Sequence, residues 1–293
     1  METLRNLVRL ARPSHWLKNV FVFAALVFAK RVSDPSAWAA ALKAFAAFCL
    51  ASSAVYAFND VLDRKEDAAH PVKRRRPVAS GDIGVAAALA WSAVLALAAV
   101  GLSVLVRQPF SGLLAAYLVL MVAYTVVLKR VAILDVLVIA SGFVIRALAG
   151  GEAVGVDVSH WLLLCTLTLS LFLGFAKRES ERVALGEAAA NTRPLRWQVY
   201  TQRSLEHMMT VSAALTVVTY MLYTVSPRTV EKVVGNHWMF ITVLPVVYAV
   251  FRFHSRAITG EVTGPVDMVR RDAAFVVALV VWGAMAAVVL FAL

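Results

Sequence analysis

The sequence predicts an all-α integral membrane protein of about nine transmembrane helices. Three observations carry this. Apolar residues make up 61% of the chain, charged residues only 16%, and the apolar residues gather in stretches long enough to cross a ~30 Å hydrocarbon core. A soluble globular domain is nearer half apolar and a quarter charged, so this chain has too little polar surface to cover a core in water. The formal net charge of +11 would point to nucleic acid in a soluble protein. Here membrane orientation and anionic substrates account for it, and no nucleic-acid partner is expected. Cys49 and Cys165 both lie in apolar runs without metal-ligand spacing and read as packing residues.

The segments follow in order as 17–32, 37–58, 83–106, 110–128, 131–150, 159–176, 205–225, 237–253 and 272–292, the shorter ones open to tilt or re-entry. The first follows Arg5, Arg9 and Arg12 without a short apolar run and small-residue cleavage site, so it reads as a retained insertion signal. The second contains Lys43, read as snorkelling, and leads into the basic loop 59–82. The third and fourth are joined through Arg107, and the fourth ends at the basic turn Lys129-Arg130. The fifth contains Arg146, read as lying toward its outer end and either pairing with Glu152 or snorkelling. The sixth runs into the basic loop 177–204, and the seventh and eighth are joined past Arg228 and Lys232. The eighth leads to Arg252, Arg256, Arg270 and Arg271 before the ninth. Placing the N-terminus in the cytoplasm puts 22 of the 29 Lys and Arg on that side and 5 on the other, which decides the orientation. No linker or repeat divides the chain, so residues 1–293 are read as one membrane domain.

The loop after the second segment carries the chemistry. It reads Asn59-Asp60-Val61-Leu62-Asp63-Arg64-Lys65-Glu66-Asp67 and continues His70-Pro71-Val72-Lys73-Arg74-Arg75-Arg76-Pro77. If the helix continues past 58, Asn59, Asp60, Asp63 and Asp67 share roughly a third of its circumference, at about 100° per residue. Clustered carboxylates repel unless a cation neutralises them. Mg²⁺ takes hard oxygen ligands, commonly one or two carboxylates plus substrate phosphates. Lys73, Arg74, Arg75 and Arg76 beside the acids suit phosphate oxygens. A solvated charged loop is the plainer alternative, and the one-face spacing argues against it.

The Asn59-to-Asp67 string resembles the first signature of the UbiA superfamily of intramembrane prenyltransferases. Several other strings resemble the decaprenyl-phosphate phosphoribosyltransferase branch. They are Arg12-Pro13-Ser14-His15-Trp16-Leu17-Lys18-Asn19, His70-Pro71 with Lys73-Arg74 and Arg76-Pro77, Tyr124 with Lys129 and Asp135, Ser141 to Gly151, and Leu171 to Arg178. The resemblance runs from about residue 9 to the final helix. It implies a nine-span fold around a central cavity, in the cytoplasmic membrane of a bacterium. It also implies transfer of phosphoribosyl from phosphoribosyl diphosphate to a polyprenyl phosphate, releasing pyrophosphate, toward lipid-linked arabinofuranose for cell-envelope glycans. One departure stands out: the region Lys129 to Arg146, taken as the second signature, has a single acid, Asp135. That fits the phosphoribosyl branch better than ordinary prenyl diphosphate chemistry.

On this reading Asp60, Asp63 and Asp67, with Asn59 as a neutral ligand, hold Mg²⁺ on the departing diphosphate. Lys129, Lys177 and Arg178, with Lys18 as a weaker fourth, are the cations offered to the lipid phosphate. Tyr124 either bonds a phosphate or sits in the aromatic belt, and Asp135 is free to join the metal, orient Lys129 or contact ribose. His70 either touches phosphate or is solvated. The nucleophile, a phosphate monoester with a second pKa near ~6, needs no strong base. Two rivals stand: prenyl transfer to an aromatic or glycerol-type acceptor, and an ion-coupled transporter. The acids sit at a membrane edge, which argues against the transporter. Assembly into homo-oligomers is left open.

Overall fold

The computed structural model describes residues 2–69, 73–185, 198–232, 237–262 and 264–291. It contains no strand among them. The chain divides into two compact units, one of residues 1–129 and 142–158, the other of residues 130–141 and 159–293. Among the described residues, eight helices are long and apolar enough to cross a membrane.

The first unit begins with α1 (Glu2–Ala11) and a 3₁₀ segment, Pro13–Phe23, followed by the short α2 (Ala24–Phe28). The first apolar segment expected from the sequence, 17–32, is therefore broken rather than one long α-helix. Polar side chains explain why it hugs its neighbour. Trp16 Nε1 donates to Ser53 Oγ at 3.0 Å, Asn19 Nδ2 donates to Ser52 Oγ at 3.3 Å, and Ser53 Oγ donates to the Ala11 carbonyl at 2.7 Å.

These contacts are made to α3 (Pro35–Leu62), the first full span. Its start is fixed by Pro35 in the first turn and by Asp34, whose carboxylate accepts from Ser36 N at 2.8 Å and Ala37 N at 3.2 Å. Ala37, Ala41, Ala44, Ala47, Ala51 and Ala54 are buried along it. Such small residues let helices approach closely where lipid supplies no hydrophobic drive. The short α4 (Arg64–Ala69), a 3₁₀ turn at Lys73–Arg75, α5 (Val85–Val104) and α6 (Gln108–Val126) follow. Leu10, Ala57, Val61, Val78, Ile83 and Ala88 form one buried cluster that joins α1 to the end of α3 and the start of α5.

The second half of α7 (Leu134–Val154) also belongs to this unit. It approaches the 3₁₀ segment so closely that a Cβ on Gly150 would meet the Val22 carbonyl oxygen at 2.0 Å. Only glycine fits there. The sequence placed Arg146 toward the outer end of its span, pairing with Glu152 or snorkelling. Instead Arg146 is buried, 6% exposed, with its donors taken by neutral oxygens, and Glu152 is exposed.

The second unit contains the first half of α7, α8 (His160–Leu185), α9 (Gln202–Val225) and the short α10 (Pro227–Lys232). A 3₁₀ turn, Trp238–Thr242, leads into α11 (Val243–Ile258), and α12 (Pro265–Arg271) precedes α13 (Ala273–Phe291). Its core includes Phe172, Phe175, Leu205, Met209, Phe253 and Phe275. Hydroxyls knit the spans, with Thr168 and Thr219 at 3.1 Å, Tyr220 and Thr242 at 2.7 Å, and Trp282 Nε1 donating to Tyr220 Oη at 2.7 Å.

Candidate active site

α3 ends at Leu62 with Asp63 as its C-cap, and α4 starts at the next residue. Backbone bonds carry the helical path across the break: Asp63 N donates to Asn59 O at 2.9 Å, and Asp67 N to Asp63 O at 2.8 Å. The helix thus runs past residue 58 as its sequence implies, and Asn59, Asp60, Asp63 and Asp67 succeed one another along one edge of the first unit.

Each carboxylate on that edge has a cation. Asp60, only 2% exposed, pairs with the Arg12 guanidinium and with Arg76 Nη1 at 3.2 Å. The same Arg76 Nη1 donates to Asp67 Oδ2 at 2.6 Å. Lys129 Nζ donates to Asp63 Oδ1 at 2.5 Å and Asn59 Oδ1 at 3.0 Å, while Asn59 Nδ2 donates to Asp63 Oδ2 at 3.0 Å. Lys129, expected to face the lipid phosphate, is therefore held on the acid edge itself. It is nearly buried, at 5% exposure, so its charge is paired where an isolated ammonium would be costly.

Arg12 was read from the sequence only as an orientation residue and as part of a family motif. Its backbone is left-handed, with φ 50°, directly before Pro13. Such a conformation is uncommon for a residue with a side chain and is found where surroundings enforce it. Its guanidinium also lies 4.9 Å from the Tyr56 ring centroid. Burial pushes the Arg12 pKa down, against the pull of Asp60. The group nonetheless stays charged.

The remaining candidates separate. Arg76 joins the edge; Lys73 is half-buried and Arg74 exposed in the adjoining turn. Arg9 Nη2 donates to the Arg75 carbonyl at 3.1 Å and ties α1 to this basic stretch. Tyr124 is half-buried in α6, and Lys18 is exposed on the 3₁₀ segment. His70 lies outside the described residues.

Asp135, Lys177 and Arg178 belong to the second unit. In the first unit Lys129 is held by Asn59 and Asp63. Asp135 is fully buried and pairs through Oδ2 with Arg178 Nε at 2.8 Å, and it accepts from Tyr200 Oη at 2.5 Å. Tyr200 Oη in turn accepts from Ile133 N at 2.7 Å, at a residue whose φ is 69°. Burial, and then the bond to Asp135, raise the Tyr200 pKa above its ordinary value. Arg178 Nη1 also donates to Glu181 Oε2 at 2.7 Å. Arg178, offered from the sequence to a lipid phosphate, is thus engaged by two carboxylates. Lys177 is exposed on α8.

Among the described residues no three or more His, Cys, Asp or Glu gather closely enough to hold a metal. The expected ligand set of Asn59, Asp60, Asp63 and Asp67 is spread along successive turns, with Asp60 and Asp67 sharing Arg76, Asp60 also on Arg12, and Asp63 on Lys129. The donor chemistry still fits Mg²⁺, which needs only one or two carboxylates when substrate phosphates complete its shell. Asp60, Asp63 and Asn59 supply such hard oxygens within two turns of one helix.

Comparison with known proteins places this geometry in context. Residues 19–263 match the profile of the UbiA prenyltransferase family. A decaprenyl-phosphate phosphoribosyltransferase of Mycolicibacterium smegmatis is 32% identical over 94% of this chain and 90% of its own length. One from Corynebacterium glutamicum is 29% identical over 94% of this chain and 84% of its own. A UbiA homologue of Archaeoglobus fulgidus, solved with GPP and Mg²⁺, aligns with a TM-score of 0.74 at 15% identity, covering 97% of this chain and 98% of that one. At that identity the likeness speaks for the fold alone.

Proposed function

We propose, from the premise that this chain belongs to the UbiA prenyltransferase family, that it transfers 5-phosphoribosyl from phosphoribosyl diphosphate to a polyprenyl phosphate and releases pyrophosphate. The observation that carries this choice is the 32% identity, over 94% of the chain, to a relative named for that reaction. The acid edge and its cations suit the chemistry. In this reading residues 1–293 act as one membrane transferase, with the acid edge on the cytoplasmic side of a bacterial inner membrane. The product feeds lipid-linked arabinofuranose for cell-envelope glycans.

The bond broken joins ribose C1 to the diphosphate oxygen; the bond formed joins C1 to an oxygen of the lipid phosphate. Asp60, Asp63 and Asn59, with Asp67, would hold Mg²⁺, which when bound supplies neutralising charge for the departing diphosphate. Arg12, Arg76 and Lys129 fix those carboxylates and place positive charge beside the same oxygens, favouring leaving-group charge as it develops. Lys73 and Arg74, in the adjoining turn, are assigned to donor phosphate oxygens. No side chain is required to deprotonate the acceptor, since a phosphate monoester is largely ionised at neutral pH.

Membranes containing the protein, supplied with labelled phosphoribosyl diphosphate and polyprenyl phosphate, test this reading. Label should pass into the lipid extract. Label that stays wholly in water while a prenyl diphosphate is consumed would assign the chain to ordinary prenyl transfer instead.

A further inference from the structure

Arg12 stands at the joint between α1 and the 3₁₀ segment, in the left-handed conformation already noted. A backbone of that kind persists only where its surroundings over-determine it. The face of α3 that leads to Asp60 supplies those surroundings, within the first unit. Ser53, Tyr56 and Asp60 follow one another at spacings of three and four residues, which puts them on one face of the helix. The Ser53 hydroxyl meets the chain on both sides of Arg12, donating to the Ala11 carbonyl at 2.7 Å and accepting from Trp16 Nε1 at 3.0 Å. His15 N donates to the Arg12 carbonyl at 2.9 Å and closes the turn.

Those bonds fix the backbone of Arg12, and Tyr56 meets its side chain. The Tyr56 ring centroid is 4.9 Å from the guanidinium carbon, within the range of a cation–π contact. The His15 ring meets Tyr56 edge-on, with centroids 5.0 Å apart and planes at 79°. One ring thus touches both ends of the Arg12 turn. From that ring the guanidinium reaches on through Nη2 to Asp60 Oδ1. The other cation at Asp60, Arg76 Nη1, is nearer to Asp67, at 2.6 Å, than to Asp60, at 3.2 Å. Asp60 therefore depends chiefly on Arg12. A long arginine side chain gives up much rotamer freedom when it is fixed, and an aromatic face against the planar guanidinium limits where the charge can go.

We propose that Tyr56 is a positioning residue for the transfer reaction: its ring holds the Arg12 guanidinium on Asp60, and so keeps that carboxylate and the cation beside it in the arrangement that receives the diphosphate. The inference rests on the phosphoribosyl-transfer reading, in which Arg12 and Asp60 serve the departing diphosphate.

A double-mutant cycle on the full chain in membranes tests it, read as kcat and KM for transfer from labelled phosphoribosyl diphosphate to polyprenyl phosphate. Tyr56→Leu, which removes the ring, should lower kcat about tenfold, the size of a cation–π contact in a desolvated place, and leave the KM for polyprenyl phosphate unchanged. Tyr56→Phe, which keeps a ring against the guanidinium, should stay within about twofold of the parent. In an Arg12→Gln background, Tyr56→Leu should cost nothing further, because no guanidinium is left to hold. If Tyr56→Leu melts below the assay temperature, Tyr56→Met takes its place in the cycle. A ring that merely supports the fold costs the same with Arg12 present or replaced, so equal losses in the two backgrounds overturn the inference and leave phosphoribosyl transfer standing. A loss in Tyr56→Phe as large as in Tyr56→Leu also overturns it, since the effect then belongs to the hydroxyl. A parent protein that passes no label into lipid sinks the transfer reading and this inference with it.

Discussion

Asp60 draws guanidinium groups from two separate stretches of chain, Arg12 before the 3₁₀ segment and Arg76 after the basic turn. Asp60→Asn keeps the shape but removes one of the three carboxylate charges of the edge. Transfer should fall at least about a hundredfold in kcat, because several kcal/mol of leaving-group stabilisation depend on the carboxylate. Steady-state assays on protein of unchanged melting temperature check this, and near-parental turnover would remove Asp60 from the chemistry. Lys129→Met strips Asp63 of its cation and should destabilise the fold by on the order of 3 kcal/mol, as breaking a buried pair does. Thermal unfolding in detergent measures that loss. The acids were legible in the sequence because their spacing is a local, helical property. Their partners were not, since Arg12 and Lys129 stand 48 and 66 positions from the carboxylates they hold, and periodicity says nothing beyond a few turns. Arg146 was misread for a related reason. Counting along a span gives depth but not which face a side chain occupies.

At the scale of elements, the packing of α7 on the 3₁₀ segment depends on the missing side chain of Gly150. Gly150→Ala must push the Val22 backbone away and should cost about 1–3 kcal/mol, the range for overpacking a tight contact. A melting temperature equal to the parent's would mean the contact is looser than drawn. The eight spans could be read from apolar length alone, because length and composition are carried by each segment itself. The stretch 17–32 is apolar, but it follows a 3₁₀ path as far as Phe23, which hydropathy does not encode. Its interior Asn19 is saturated by Ser52, Cys49 and Arg146, and Lys30 turns the chain with φ 57° just after α2. Those tertiary bonds hold a 3₁₀ path in a stretch whose hydropathy gave its length and left its course open to tilt or re-entry.

For the whole molecule, the division into two compact units depends on which helices pack together, and no single-segment pattern encodes it. The proposed orientation rests on a simpler pattern, the excess of Lys and Arg on alternate connections. With Cys49 and Cys165 replaced by Ala, a membrane-impermeant maleimide should label Gln108→Cys in intact spheroplasts and Ser80→Cys only after lysis. The reverse pattern would invert the protein and move the acid edge away from cytosolic phosphoribosyl diphosphate. The central claim is that the edge bearing Asp60 and Asp63 grips a diphosphate through a divalent ion. Electron paramagnetic resonance of Mn²⁺, titrated into purified protein with phosphoribosyl diphosphate, measures it most directly. Bound Mn²⁺ that requires both donor and protein, and disappears in the Asp60→Asn, Asp63→Asn double variant, is the expected result; equal binding in parent and double variant would contradict it.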